Sequence, residues 1–181
     1  MFICYYSGMT LFITFISILQ TFSISLGVGS STLAIINFFA AIADGVIDAT
    51  ERRMMGIVYV VLRVAMVMIL LTTAILISIE FTQGGIAEFS TIIYAQLLAL
   101  VMLFVNSSLM TARIMPSTYG PALQAGSWYT LGALTALQIV GIVNFSFFIF
   151  LAAYITWLVL AVAIVNGIMS ILAARRKGSL K

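Results

Sequence analysis

Long apolar stretches, separated by short breaks of turn-forming residues, dominate the chain. A helix needs about 20 mostly apolar residues to cross a membrane. The segments that fit this pattern cover roughly residues 3–24, 28–44, 55–79, 90–112, 119–142 and 146–173. Gly, Asp, Gln or Pro residues mark the breaks, except near residues 143–146, where one Asn and one Ser are the only polar residues. The pattern predicts an all-α, polytopic membrane protein with six transmembrane helices.

The composition supports the same class. Hydrophobic residues make up 64% of the 181 residues and charged residues 7%, and the mean hydropathy is +1.25. A soluble domain is about 45–50% apolar and about 25% charged, so a soluble enzyme, a nucleic-acid-binding protein and a disordered protein are excluded. We expect one transmembrane domain over residues 1–181, surrounded by the lipid bilayer and without a nucleic-acid partner.

The inventory of reactive residues argues against catalysis. The chain has no His and a single Cys, Cys4, which excludes His-ligated haem, His-based zinc sites and an intrachain disulfide. No pair of Asp residues lies inside a predicted span to support aspartyl chemistry. We therefore expect a protein that is not an enzyme and that has no metal site and no cofactor.

The basic residues predict an orientation. In the six-span arrangement, residues 52–53, Arg113 and the short basic tail 175–181 lie on the side of the N-terminus, whereas the opposite loops carry only Glu80 and Glu88. Cytoplasmic loops are enriched in Lys and Arg. The pattern therefore predicts a multi-pass protein of the plasma (inner) membrane with both termini in the cytoplasm, and we expect five or seven spans to break it.

A weak internal similarity indicates two halves, 1–82 and 83–174. The segment Leu26–Ser30 aligns with Leu123–Ser127, and each opens the predicted middle span of its half. Two three-span halves would form inverted repeats, as in many transporters. The alternative is that small residues recur at helix starts because they pack well.

Polar side chains at helical spacing predict a pathway between spans, because polar groups inside a membrane face protein or water. Bulky amides carry this prediction more than hydroxyls do, since each amide needs several hydrogen-bond partners. The residues assigned to a substrate or ion pathway are Ser30, Asn37, Asp44, Arg63, Asn106, Ser107, Ser127 and Gln138.

Span one carries a second polar feature, a continuous hydroxyl stripe. Its members recur at spacings of three and four and are Ser7, Thr10, Thr14, Ser17 and Thr21. Hydroxyls of this kind are common where membrane helices pack closely, so we interpret the stripe as a packing surface rather than as part of the pathway.

The charged segment 44–51 has two readings. It resembles the second half of an EF-hand calcium loop, but the first and third ligand positions would be Ala40 and Ile42, whose side chains cannot ligate. A structural turn explains it better. Gly45 would close one helix, Asp48 would cap the next, and Glu51 would complete a capping box.

Arg63 stands apart from the other basic residues. If span three enters the membrane near Gly56, Arg63 lies about 10 Å along the helix. Its long side chain reaches the cytoplasmic interface, or it supplies a fixed positive charge beside the pathway. Asp44 is the expected ion-pair partner.

Two functions fit these features. The first is a small membrane transporter or channel for a small ion or polar solute. The second is a non-catalytic membrane subunit or assembly protein of a larger complex, acting through lateral contacts with a second copy or another membrane protein. The 10 Met and 13 Phe residues supply adaptable apolar surface for such contacts.

Overall fold

The computed structural model describes residues 2–44, 48–85, 89–116 and 119–179. These residues form five α-helices: α1 (Phe2–Asp44), α2 (Ala49–Gly84), α3 (Thr91–Thr111), α4 (Gly120–Ile139) and α5 (Phe147–Ser179). Four of them, α1, α2, α3 and α5, are long and apolar enough to cross a membrane. The chain is therefore a helical membrane protein, and large apolar side chains cover much of its outer surface.

The first helix corrects the expectation of six separate spans. Predicted spans one and two form the single 43-residue helix α1, about 65 Å long. The break expected at Gly27 and Gly29 does not occur. A backbone in apolar surroundings must satisfy its own hydrogen bonds, so helix geometry continues through both glycines. The hydroxyls of Ser30 and Thr32 donate to carbonyls three or four residues earlier in the same helix.

The continuity of α1 also removes support for inverted repeats. Leu26–Ser30 lies in the middle of α1, whereas Leu123–Ser127 begins at the fourth residue of α4. The two segments do not open equivalent helices. Five helices also cannot divide into two halves of three. Small residues of both segments pack closely, Gly27 on Trp128 and Gly126 on Leu158, but only the second segment lies near a helix start.

Two antiparallel hairpins and one further helix build the bundle. The α1–α2 hairpin and the α3–α4 hairpin pack together mainly through α1 against α4, and α5 packs on α4 and α1. Among the described residues, the backbones of α2 and α3 hardly approach each other. The gap between these two helices, closed behind by α1 and α4, is called the seam below.

Helix α4 is the most shielded element. Ten of its 20 residues are buried, and they include Gln124, Ser127 and Thr130. It is not among the four helices that are apolar enough to span a membrane unaided. Neighbouring helices cover its polar side chains, so α4 does not need a lipid-compatible surface.

The turn before α2 confirms the predicted capping box. The Glu51 backbone N–H donates to the Asp48 carboxylate at 2.6 Å, and the Asp48 N–H donates to the Glu51 carboxylate at 3.1 Å. Gly45, assigned to the preceding helix end, lies outside the described residues. At the other terminus, residues 175–179 of the basic tail continue α5.

Candidate functional site

A cleft of about 340 Å³ opens between α1, α2, α3 and α4 near the point where α3 ends and α4 begins. We call it the Arg63 cleft. Its lining residues are Ser31, Ala34, Tyr59, Leu62, Arg63, Met66, Ser107, Met110, Thr111, Pro121 and Gln124. Four helices thus contribute to one partly polar space.

A buried amide pair forms the inner wall of the cleft. The Asn106 amide nitrogen donates to the Gly120 carbonyl at 3.0 Å and to Gln124 Oε1 at 3.1 Å. The Gln124 nitrogen has the Met66 sulfur, at 3.6 Å, as its hydrogen-bond acceptor. Thioether sulfur is a weak acceptor, so this buried amide keeps donor capacity. Asn106 Oδ1 is buried without a hydrogen-bond partner in the described part of the chain.

Arg63 supplies the positive charge of the cleft. Its side chain is exposed, and no lining residue is acidic. The hydroxyls of Tyr59 and Ser107 make no hydrogen bond within the described part of the chain. The cleft therefore combines one cation with several hydrogen-bond donors that are free to bind a ligand.

The expected pairing of Arg63 with Asp44 stays a prediction, because the side chain of Asp44 lies outside the described residues. Asp44 ends α1, and α2 begins at Ala49. Arg63 lies 14 residues farther along α2, about 21 Å from its first residue.

A second, smaller polar space lies at the other end of the seam. This far cavity has a volume of about 40 Å³, and its lining residues are Gln20, Thr73, Leu76, Ile77, Glu80, Ile93, Gln96 and Gln138. It contains two hydrogen bonds between helices, from Gln20 to Thr73 and from Gln96 to Gln138, each 3.1 Å long. A polar cavity of this volume has room for one or two water molecules.

An apolar layer separates the two spaces. Its central members are Trp128, Ile69 and Leu103, each at most 1% exposed. Trp128 packs directly on Gly27 of α1, where an added Cβ would overlap the indole ring. On α4, the layer lies between Gln124 of the Arg63 cleft and Gln138 of the far cavity, which are about 21 Å apart along the helix.

The structure brings together only part of the predicted pathway. Arg63 and Ser107 line the Arg63 cleft, and Asn106 adjoins it through Gln124. Gln138 lines the far cavity instead.

The other predicted residues lie elsewhere. Ser30 is buried and bonded back to its own helix, and Ser127 shares a 2.9 Å hydrogen bond with Tyr154 of α5. Asn37 is half-buried on α1 and lines neither space. Asp44 lies at the end of α1, and its side chain is outside the described part of the chain.

The hydroxyl stripe of α1 faces outward. Thr10, Thr14 and Thr21 are exposed and Ser17 is half-buried. Thr14, Ser17 and Thr21 donate to carbonyls four residues earlier. These four residues therefore belong to the outer surface of the chain and not to either polar space, and the side chain of Ser7 lies outside the described residues.

Sequence reasoning missed several residues of both spaces. Ser31 and Tyr59 were passed over in the Arg63 cleft, and Gln20 and Thr73 in the far cavity. Gln20 gave one usable signal, because a glutamine inside an apolar helix needs protein or water partners. The identity of its partner, 53 residues away, had no local signal.

Two polar spaces of unequal size and charge, divided by a closed apolar layer, can bind small polar groups from opposite ends of the bundle. No protein-family model matches the chain, and neither a curated protein nor a solved structure matches it.

Proposed function

We propose that the protein is a small transporter that opens the seam alternately toward its two ends. One observation carries the proposal: the same four helices line the Arg63 cleft and the far cavity, on either side of the apolar layer at Trp128. Transporter sites commonly lie near the membrane midplane, between elements that move against one another. The larger cleft corresponds to the open side and the smaller cavity to the closed side.

The packing of the hairpins supports this movement. Because α1 meets α4 across a glycine and α2 hardly approaches α3, the two hairpins are joined mainly along one contact. A small rocking about this contact would narrow the Arg63 cleft and widen the far cavity. The buried amide pair of Asn106 and Gln124 and the amide pair of Gln96 and Gln138 would then face the wider space in turn.

The orientation that we propose differs from the expected one. If all five helices cross the membrane, the segments after α1, after α3 and after α5 all lie on one side. Arg113 follows α3, Arg52 and Arg53 lie near the start of α2, and the tail 175–181 lies at the end of α5, so all of them are at this side. With five spans instead of six, the basic residues still share one side, because the two predicted spans that form α1 precede every basic residue. The basic side is cytoplasmic, and the N-terminus lies on the opposite side.

Thiol labelling tests the proposal. In a Cys4→Ser background, the chain carries no other cysteine. Ser107→Cys in the Arg63 cleft and Gln138→Cys in the far cavity are each reconstituted in vesicles and exposed to a membrane-impermeant maleimide. We expect Ser107→Cys to react from the basic side and Gln138→Cys from the other side.

Ser127→Cys is the matched control, since Ser127 is buried in a dry contact with Tyr154, and it should not react from either side. Alternate opening also predicts that a reagent fixed at position 107 slows labelling at position 138 in a double variant. Unreactive cysteines at both 107 and 138 would refute the transport proposal.

A non-catalytic membrane subunit is the second candidate. The outward hydroxyl stripe of α1 favours it, because Thr14 and Thr21 serve neither polar space. Thr14→Cys in the Cys4→Ser background should then form an oxidative crosslink in membranes, whereas Phe12→Cys, on a different face of α1, should not. Crosslinking at Thr14 together with unreactive cysteines at 107 and 138 would favour the subunit function.

A further inference from the structure

We infer that the Arg63 cleft binds an anionic group, a phosphate or carboxylate carried on an apolar body. The inference deepens the proposed function and rests on it, because the role of the cleft as a transport site comes from that proposal. It follows from the charge, the donors and the apolar lining of the cleft, taken in turn.

The charge of the cleft has one sign. Arg63 is its only ionisable lining residue apart from Tyr59, and Asp and Glu are absent from the lining. Among the described residues, no carboxylate lies within ion-pair distance of Arg63. A guanidinium offers five N–H donors in a planar fork that matches a carboxylate or a phosphate. A cation would meet repulsion here and find no carboxylate to bind it.

The neutral polar groups also favour an anion. The hydroxyls of Tyr59 and Ser107 are not committed to other partners in the described chain, and the Gln124 amide nitrogen is held by a sulfur alone. Each of these groups can donate a hydrogen bond to an oxyanion.

The apolar part of the lining indicates which kind of molecule carries the anionic group. Ala34, Leu62, Met66 and Met110 present apolar surface beside these donors. A fully hydrated inorganic ion would leave that surface without a partner. An organic anion or the headgroup region of an anionic lipid would cover it. The two sources share the anionic group and differ in how they reach the cleft.

The test uses the full chain purified in a neutral detergent, with thermal unfolding followed through the fluorescence of Trp128 and Trp157. Phenyl phosphate serves as the free anion and dihexanoyl phosphatidylglycerol as the anionic lipid. Dihexanoyl phosphatidylcholine serves as the lipid without net charge, and ionic strength is kept constant. Because a ligand that binds the folded state stabilises it, we expect a saturable rise of the midpoint with one or both anionic probes and not with the control lipid.

Substitutions locate the site. Arg63→Gln should weaken the apparent affinity about tenfold or more, since hydrogen bonds to charged groups are the strong ones. Arg63→Lys keeps the charge but loses the planar fork of N–H donors, so its apparent affinity should lie between those of the wild type and Arg63→Gln. Arg53→Gln removes another exposed arginine, 10 residues earlier on α2, and should leave the affinity unchanged. Ser107→Ala gives a second, milder variant that keeps the charge and should weaken affinity by a smaller factor.

Each outcome has a defined meaning. Stabilisation by phenyl phosphate alone supports a soluble anion as ligand, and stabilisation by the anionic lipid alone supports a headgroup. Absence of both effects, or equal effects in wild type and Arg63→Gln, overturns the inference. This binding measurement is independent of vesicle labelling. Anion binding without thiol access from both sides would support the inference and refute the transport proposal. Thiol access from both sides without anion binding would support the transport proposal and overturn the inference.

Discussion

The contact between Gly27 and Trp128 allows a sharp test of the bundle. Trp128 is fully buried, and a Cβ added at Gly27 would overlap its ring. We predict that Gly27→Ala destabilises the folded protein, although alanine is normally the better residue inside a helix. Gly29→Ala is the matched control, because no neighbouring atom lies within 4 Å of a Cβ at that position.

The expected magnitude combines two opposing effects. Replacing glycine by alanine inside a helix stabilises by about 0.5–1 kcal/mol. Overpacking a close-packed core costs about 1–3 kcal/mol. Gly29→Ala should therefore be neutral or stabilised by up to about 1 kcal/mol. Gly27→Ala should be less stable than Gly29→Ala by roughly 1–3 kcal/mol, which is the cost of the overlap.

Unfolding of the purified variants in mixed micelles, as the denaturing detergent is increased, measures the difference. A second substitution tests its cause. Trp128→Phe removes part of the ring that occupies the site, so the two changes should couple favourably in a double-mutant cycle, by about 0.5–3 kcal/mol. Equal stability of Gly27→Ala and Gly29→Ala, or additive effects in the cycle, would show that the ring does not lie on Gly27.

Three further predictions concern single contacts. Asp48→Ala removes the capping box and should cost about 0.5–2 kcal/mol of unfolding free energy, whereas Thr50→Ala, exposed in the same turn, should change it little; an equal loss in both variants would argue against the cap. Ser127→Ala and Tyr154→Phe each remove the hydrogen bond between α4 and α5, so each should lower the unfolding free energy by about 0.6 kcal/mol. Unfolding in mixed micelles measures the loss, and the double variant should lose no more than the sum of the two single losses. Asn37→Leu, outside both polar spaces, should leave the phenyl phosphate midpoint shift unchanged, and a reduced shift would place Asn37 in the ligand site.

Local physics explains what could be predicted without the fold. The cost of placing polar groups in lipid depends on composition and segment length, so the membrane class and most helices followed from hydropathy. The cap at Asp48 was predicted correctly for a similar reason, since the residues that form a capping box are three positions apart. The helix break predicted at Gly27 was wrong, because glycine occurs both at helix ends and at close contacts between helices. Only the position of Trp128 decides between these roles.

The assignment of polar residues to a site required the tertiary structure. Helices that are apolar on all sides carry little information about which face turns inward, so the sequence assigned Arg63 and Gln138 to one pathway although they line different polar spaces. Packing of Trp128 against α1 fixes the rotation of α4 and directs Gln124 toward Arg63. The amide pair from Gln96 to Gln138 joins residues 42 positions apart. The sequence by itself determined that the chain is a helical membrane protein. Which polar groups meet, and on which side of a closed apolar layer, was decided by the relative rotation of helices that only long-range packing sets.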